Sequence, residues 1–279
     1  MLFYVEKTYW LRICSCLVRN IEIYFRPVAI DFEMLGSGSS GNCGLMKISS
    51  SVFLIDVGFS CKKIKEMLSA RCVDIESVRA VFITHEHCDH IQGLRGLRKY
   101  KNIKFFANRK TAEVLEEKFD FGINWEKFDT GDEMHFDGMT ISSFNLPHDA
   151  VEPIGYVFRV DEDRRDDGVN SIAWMTDLGY IPSNVVKNII NVDLLVIESN
   201  YDNDMLTKDT KRPPYVKARI RSRYGHLPNE LTVNFVKNVD GKKWKKVVFA
   251  HVSSDCNSES VIKEMMGKEL PFELEIAKQ

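Results

Sequence analysis

The sequence has no run of the roughly 20 apolar residues that a membrane-spanning helix needs. Its best candidate, Trp10-Leu11-Arg12-Ile13-Cys14-Ser15-Cys16-Leu17-Val18, is short, broken by Arg12 and followed by Arg19. Glu6 and Arg12 also disturb the order of basic and apolar regions expected of a signal peptide. No disulfide framework is visible either. The seven cysteines (Cys14, Cys16, Cys43, Cys61, Cys72, Cys88, Cys256) are odd in number and scattered, which fits free thiols in a reducing, cytoplasmic setting. Cys14-x-Cys16 is too closely spaced for the common zinc-ribbon pattern. Net charge is nearly absent: 38 basic against 40 acidic residues give -2, so any surface for an anionic partner must be local. Internal repeats and low-complexity tracts are also missing.

What remains is a chain of 279 residues, long enough to bury a large core. Residues 1–30 read as an N-terminal extension of unknown role, and 31–279 as one catalytic domain. Strand-like apolar runs ending in turn residues occur at 45–48, 52–56, 80–84, 104–107, 140–145, 155–160, 172–176, 194–198 and 246–251. Helical patterns fall between them at 61–68, 91–99, 111–118, 184–190, 215–223 and 228–239. Strands interspersed with helices along the whole length indicate a layered α/β architecture. The charged stretch from Asp161 to Gly168 reads as a solvated hairpin loop.

The chemistry concentrates directly after the apolar run Ala80-Val81-Phe82-Ile83, in Thr84-His85-Glu86-His87-Cys88-Asp89-His90. Imidazoles crowded together repel when protonated unless a metal holds them neutral, and a carboxylate among them adds charge for a second ion. Four ligands within six residues cannot surround one ion from a single short loop. His85 and His87 therefore point toward one metal, and Asp89 and His90 toward another. Three further candidates each follow an apolar strand, where loops at one sheet edge converge: His148, Asp177 and His251. Asp56, which ends an earlier strand, reads either as a partner for a ligand histidine or as a turn carboxylate before Gly58. Cys88 alternates away from the ligands, and His135 reads as structural or exposed. The glycine- and serine-rich residues 36–44 form a tight turn whose amides could cradle a phosphate.

The cluster from Thr84 to His90 resembles the signature of the metallo-β-lactamase superfamily. Gly36-Ser37-Gly38-Ser39-Ser40-Gly41-Asn42-Cys43, Leu54-Ile55-Asp56-Val57-Gly58, Glu198-Ser199-Asn200-Tyr201-Asp202, Gly225-His226-Leu227 and His251-Val252-Ser253 resemble its YycJ/WalJ branch. The resemblance runs from about Phe32 to Phe272 and implies a four-layer αββα sandwich. It implies that His85, His87 and His148 hold a first metal, that Asp89, His90 and His251 hold a second, and that Asp177 bridges them. Zinc, manganese and iron all suit nitrogen and carboxylate ligands without thiolate. Glu198 and the downstream Gly-His resemble the pair found in RNase Z-type phosphodiesterases, which makes His226 a proton donor to the leaving group, oriented by Glu198. Pro228 departs from the branch, which usually has Ser there; proline can open a helix, so the helix should survive with one hydroxyl fewer.

Two metals could share a hydroxide near Asp89 and clamp the oxygens of a phosphodiester. The basic segment Lys208, Lys211, Arg212, Lys217, Arg219, Arg221, Arg223 leads into His226, so Lys217 and Arg221 are candidates for substrate phosphates, with Tyr215 and Tyr224 for stacking. The expected activity is a metal-dependent nuclease. The resemblance implies a 5′-to-3′ DNA exonuclease, associated in some bacteria with mismatch repair. The alternative is a small-molecule hydrolase of a thioester, lactone, lactam or cyclic phosphate.

Overall fold

The structure is a computed structural model that describes residues 29–267 and 269–278. The first 28 residues, which hold most of the expected extension and the Cys14-x-Cys16 pair, lie outside them. Strand β1 begins at Ile30.

The apolar runs fold into two sheets, and the chain completes one before starting the other. The first contains β1 (Ile30–Gly36), β2 (Cys43–Ile48), β3 (Ser51–Ile55), β4 (Val78–Phe82), β5 (Lys104–Asn108) and β6 (Trp125–Phe128), in that spatial order. The second contains β7 (Glu133–Phe136), β8 (Met139–Asn145), β9 (Ile154–Val160), β10 (Ser171–Met175), β11 (Leu194–Glu198), β12 (Lys246–Ala250) and β13 (Glu273–Ile276), again side by side in chain order. Strands β3 to β6 and β10 to β13 pair in parallel; the remaining pairs are antiparallel.

Period-two alternation explains the layers. Along β3, Phe53 and Ile55 enter one apolar cluster while Val52 and Leu54 enter another. Along β12, Val248 and Ala250 face the first cluster while Val247 and Phe249 face a third. Both faces of the central strands are thus buried, as near-continuous apolar runs require. The cluster between the sheets joins Phe53, Phe82 and Phe106 of the first to Tyr156, Phe158 and Trp174 of the second. Phe82 stacks on Phe106 at 4.9 Å and meets Phe158 edge-on at 5.0 Å.

Helices cover the outer faces. α1 (Cys61–Ser69), α2 (Cys88–Ile91), α3 (Leu94–Leu97) and α4 (Arg109–Lys118) lie along the first half of the chain. α5 (Ser183–Ile189), α6 (Asn203–Lys208), α7 (Pro214–Ile220), α8 (Asn229–Asn238) and α9 (Glu259–Met266) lie along the second. Ile64, Leu94, Leu97 and Leu115 pack on the first sheet's outer face; Val185, Val236 and Ile262 pack on the second's. The result is the expected four-layer αββα sandwich. The helical pattern at 91–99 is interrupted at Gly93, where the chain passes the carbonyl of Val57 and donates to it at 2.7 Å. Pro228 occupies the cap position before α8, and the helix forms without a side-chain cap. The charged stretch 161–168 joins the antiparallel strands β9 and β10, as a hairpin connection should. Among the described residues no helix is long and apolar enough to cross a membrane.

One cross-sheet hydrogen bond sits just before the histidine cluster. The fully buried Tyr156 hydroxyl on β9 donates to the Ile83 carbonyl at 2.7 Å. Tyr156→Phe leaves that buried acceptor without its donor, so unfolding in urea should show a loss of about 1–3 kcal/mol with the midpoint lowered.

Candidate metal centre

The carboxyl ends of the central strands meet at one edge of the sandwich, and the polar side chains of the sequence motifs come together there. β4 ends at Phe82, two residues before the run from Thr84 to His90, which turns into α2. His148 follows β8, Asp177 follows β10, and His251 follows β12 directly. Three residues at these strand ends, Asp56, Asp177 and His251, adopt left-handed backbone with φ of 56°, 63° and 54°. Such conformations are unfavourable for residues with a Cβ and persist where the surroundings fix them. Gly58 is required by a close approach: a Cβ there would stand 1.8 Å from the carbonyl oxygen of Asp89.

The ligand-type atoms form overlapping groups, each within 4.8 Å: His85, His87 and His148; Asp89, His90 and His251; and His85, His90 and Asp177. Asp177 lies between the first two, with Oδ2 3.3 Å from His90 Nε2, and Oδ1 3.3 Å from His251 Nε2 and 3.8 Å from His148 Nε2. A fourth group joins Asp177 to Glu198, His226 and His251.

Two buried carboxylates set the imidazoles. Asp56, with no solvent exposure, accepts His90 Nδ1–H at 2.7 Å and the Thr84 amide at 2.9 Å. The Thr84 hydroxyl has one proton and gives it to Asp56 at 2.9 Å, so its oxygen is left to accept His85 Nδ1–H, also at 2.9 Å. Nε2 is therefore the atom of both His85 and His90 that is turned toward the other ligand-type groups. Glu198 has the same role on the second sheet. Its Oε1 lies 2.7 Å from His226 Nδ1 and 3.0 Å from His251 Nδ1, while Oε2 accepts the amides of Leu178 and Leu227 at 3.0 and 3.2 Å. His148 Nδ1 donates to the Gly225 carbonyl at 3.1 Å, which leaves its Nε2 3.3 Å from His87 Nδ1.

The electrostatics divide neighbouring rings. Burial, reinforced by His90, holds His85 well below the ordinary histidine range. Burial acts the same way on His90, but Asp177, Asp56 and Asp89 override it and raise that ring well above the range. Burial would push Glu198 up, yet the charges and hydrogen bonds of His226 and His251 hold its carboxyl below its usual value. Above the cluster opens a cleft of about 280 Å³, lined by Ser39, His87, Cys88, Asp89, His148, Asp177, Arg219, His226 and His251.

A family model described as "Beta-lactamase superfamily domain" matches residues 52–252, which contain every residue of these groups. The chain belongs to the metallo-β-lactamase superfamily. It is 31% identical over 247 residues to a Streptococcus pneumoniae protein named exodeoxyribonuclease WalJ, covering 87% of this chain and 89% of that one. It is 30% identical to the Bacillus anthracis exodeoxyribonuclease YycJ, with 87% and 90% covered. Among solved structures, the metallo-β-lactamase-fold protein YhfI of Bacillus subtilis superposes with a TM-score of 0.68 at 16% identity, over 89% of this chain and 96% of that one.

The superfamily's fold implies divalent metal ions, and the residues here fit them. His85 Nε2 and Asp177 Oδ2 are buried polar atoms without a hydrogen-bond partner, in a set of nitrogen and carboxylate donors without thiolate. Seven of the side chains singled out in the sequence (His85, His87, Asp89, His90, His148, Asp177, His251) thus converge, and Glu198 and His226 adjoin them. Cys88 belongs to none of the groups; its thiol, 3.9 Å from Lys118 Nζ, is exposed at the cleft margin. His135 is exposed on β7.

The structure places Lys217 and Arg221 away from the cleft lining. Four residues apart, they share one face of α7, and that face lies against α6. Lys217 reaches the carbonyls of Thr207 (3.0 Å) and Asp209, while Arg221 bonds the Asn203 carbonyl (3.2 Å) and the Thr207 hydroxyl (2.6 Å). Arg219, two residues from each, lies on the opposite side of the helix and lines the cleft in an ion pair with Asp149. Helical periodicity within the basic run was the available signal for it. Lys211 and Arg212 pair with Asp255, and Arg223 lies over the Tyr180 ring at 4.7 Å.

Asp56→Ala should release His90 directly and His85 through Thr84, lowering affinity for a divalent ion about 10–100-fold. Chelator-competition titration with Zn²⁺ checks this; affinity equal to wild type would remove Asp56 from the centre.

Proposed function

We propose that the chain is a metal-dependent phosphodiesterase acting on nucleic acid, a 5′-to-3′ exonuclease on DNA. The observation that supports this most is the Glu198–His226 pair beside the ligand groups. It serves a reaction whose leaving oxygen needs a proton, because His226 belongs to neither of the two main ligand groups and is nonetheless held at the cleft by a buried carboxylate. The relatives named exodeoxyribonucleases supply the substrate class.

In this reading His85, His87 and His148 would hold one ion and Asp89, His90 and His251 the other, with the Asp177 carboxylate between the two groups. Such ions supply an activated water and charge neutralisation for the phosphate oxygens. The protein's own contribution follows from hydrogen bonding. Glu198 takes Nδ1–H of His226, so Nε2 faces the cleft. As a P–O bond to the sugar breaks, Nε2 gives its proton to the departing oxygen. The proton lost by the attacking water restores the balance. Arg219 at the cleft wall exchanges Asp149 for a substrate phosphate. Exposed Tyr215 and Tyr224 flank the same segment and offer surfaces for unstacked bases. Lys217 and Arg221, anchored on α6, hold the segment in place.

Four variants separate these roles. Asp89→Ala should lose one equivalent of bound metal and nuclease activity together. His226→Ala should retain wild-type metal content while turnover falls about 10²–10⁴-fold; equal depletion of metal in both variants would overturn the assignment of His226. Arg219→Ala should weaken binding of single-stranded DNA and reduce the slope of log affinity against log salt by about 1. Lys217→Ala should leave that slope unchanged. Metal-loaded protein that spares end-labelled DNA and RNA but hydrolyses a thioester or a cyclic phosphodiester would return the site to small-molecule chemistry.

A further inference from the structure

Residues 36–42 have the composition of a phosphate-binding turn, but the fold directs their polar groups inward. Ser37 N–H donates to the Lys278 carbonyl at 3.1 Å, Gly41 N–H to Gly38 O at 2.9 Å, and Asn42 N–H to Asp89 O at 2.8 Å. Gly38 N–H donates to Asn42 Oδ1 at 3.0 Å. These four amides are spent within the protein.

The Asn42 side chain is fully buried, and its orientation is determined by its neighbours. A backbone N–H can only donate, so the atom that receives Gly38 N–H must be the oxygen. The amide nitrogen therefore faces the opposite way, 3.2 Å from the Gly38 carbonyl, 3.1 Å from His90 Nε2 and 3.4 Å from Asp89 Oδ2. His90 Nδ1–H is bonded to Asp56, so Nε2 is the ring atom turned toward Asp89, and the Asn42 amide nitrogen lies against it. Ser37 extends the arrangement to the other sheet. Its hydroxyl accepts the backbone N–H of His251 at 2.6 Å and donates to Asn42 Oδ1 at 3.2 Å. One chain of hydrogen bonds thus runs from His251 through Ser37 and Asn42 to Asp89, along the edge of the His90 ring.

We propose that Asn42, locked by Ser37, is a positioning residue for the half of the centre formed by Asp89, His90 and His251, its amide fixing the Asp89 carboxylate against the His90 ring edge where a cation would meet both. The inference rests on the two-ion reading above. Without this donor the Asp89 carboxylate loses the amide that holds it against the His90 ring and has more freedom to turn. An arriving cation must then order its ligands as it binds, which weakens binding at this half. The Asn42 side chain has no hydrogen bond to His85, His87 or His148, and the half they form should be indifferent to it.

Stepwise Co²⁺ titration of the metal-free full chain tests this, read by the visible absorption of each bound ion with a competing chelator. Asn42→Ala removes the amide, and Asn42→Leu removes it while keeping the volume; thermal unfolding of the metal-free variants reports their folding. In both, one step should keep wild-type affinity while the other weakens about 10–100-fold. Ser37→Ala should weaken the same step by less. Equal weakening of both steps, or two unchanged steps in the Leu variant, would overturn the proposal. A wild-type chain that takes up a single equivalent would remove the second half of the centre and this proposal with it.

Discussion

A carboxylate without access to water holds this site together. Asp56 carries a charge into the protein interior, where it is tolerable only with several donors around it. The Thr84 amide and hydroxyl and the His90 imidazole supply them. In satisfying itself Asp56 fixes the orientation of the His90 ring through Nδ1–H and, through Thr84, determines which nitrogen of His85 carries the proton. Glu198 repeats the device from the second sheet with His226 and His251. The ligand groups are thus an outcome of two buried charges finding partners. The left-handed backbone at Asp56, Asp177 and His251 is held by the same network.

The layers explain why the groups meet at one edge. Parallel strands in both sheets end on the same side, and the loops that follow them carry the polar residues. Each ligand group draws from both sheets: His85 and His87 with His148, and Asp89 and His90 with His251. Cross-sheet bonds such as Tyr156 to Ile83 and Ser37 to His251 keep the two halves in register at this edge. Sheet-to-sheet packing supplies rigidity, and the hydrogen bonds turn it into ligand spacing.

The sequence was most readable where burial is two-sided. The apolar runs of β2 to β5 and β8 to β12 stand out because both faces are covered. The strands that escaped pattern reading, β1, β6, β7 and β13, are the four sheet edges. Edge strands such as β7 and β13 carry half-exposed side chains and little apolar signal. The short α6 and the amphipathic α9 were also missed, lying between stronger signals. At the centre, the histidine run and the strand-end residues were legible because ligand chemistry restricts residue type. Asn42 and Ser37 were not, since a Gly/Ser-rich stretch looks the same whether its amides face solvent or protein. Lys217 and Arg221 show the limit of reading charge without helical phase: the run was visible, but which side of α7 faced the cleft was not.

The bond between the His251 amide and the Ser37 hydroxyl joins residues 214 positions apart. It closes the sandwich from nearly one end of the described chain to the other, and His251 itself arrives on the next-to-last strand. During synthesis the first sheet and its histidine run are made while the group of Asp89 and His90 still lacks His251. A partial chain on the ribosome therefore has at most a fraction of the centre. Whatever this site hydrolyses is safe from it until synthesis has passed His251.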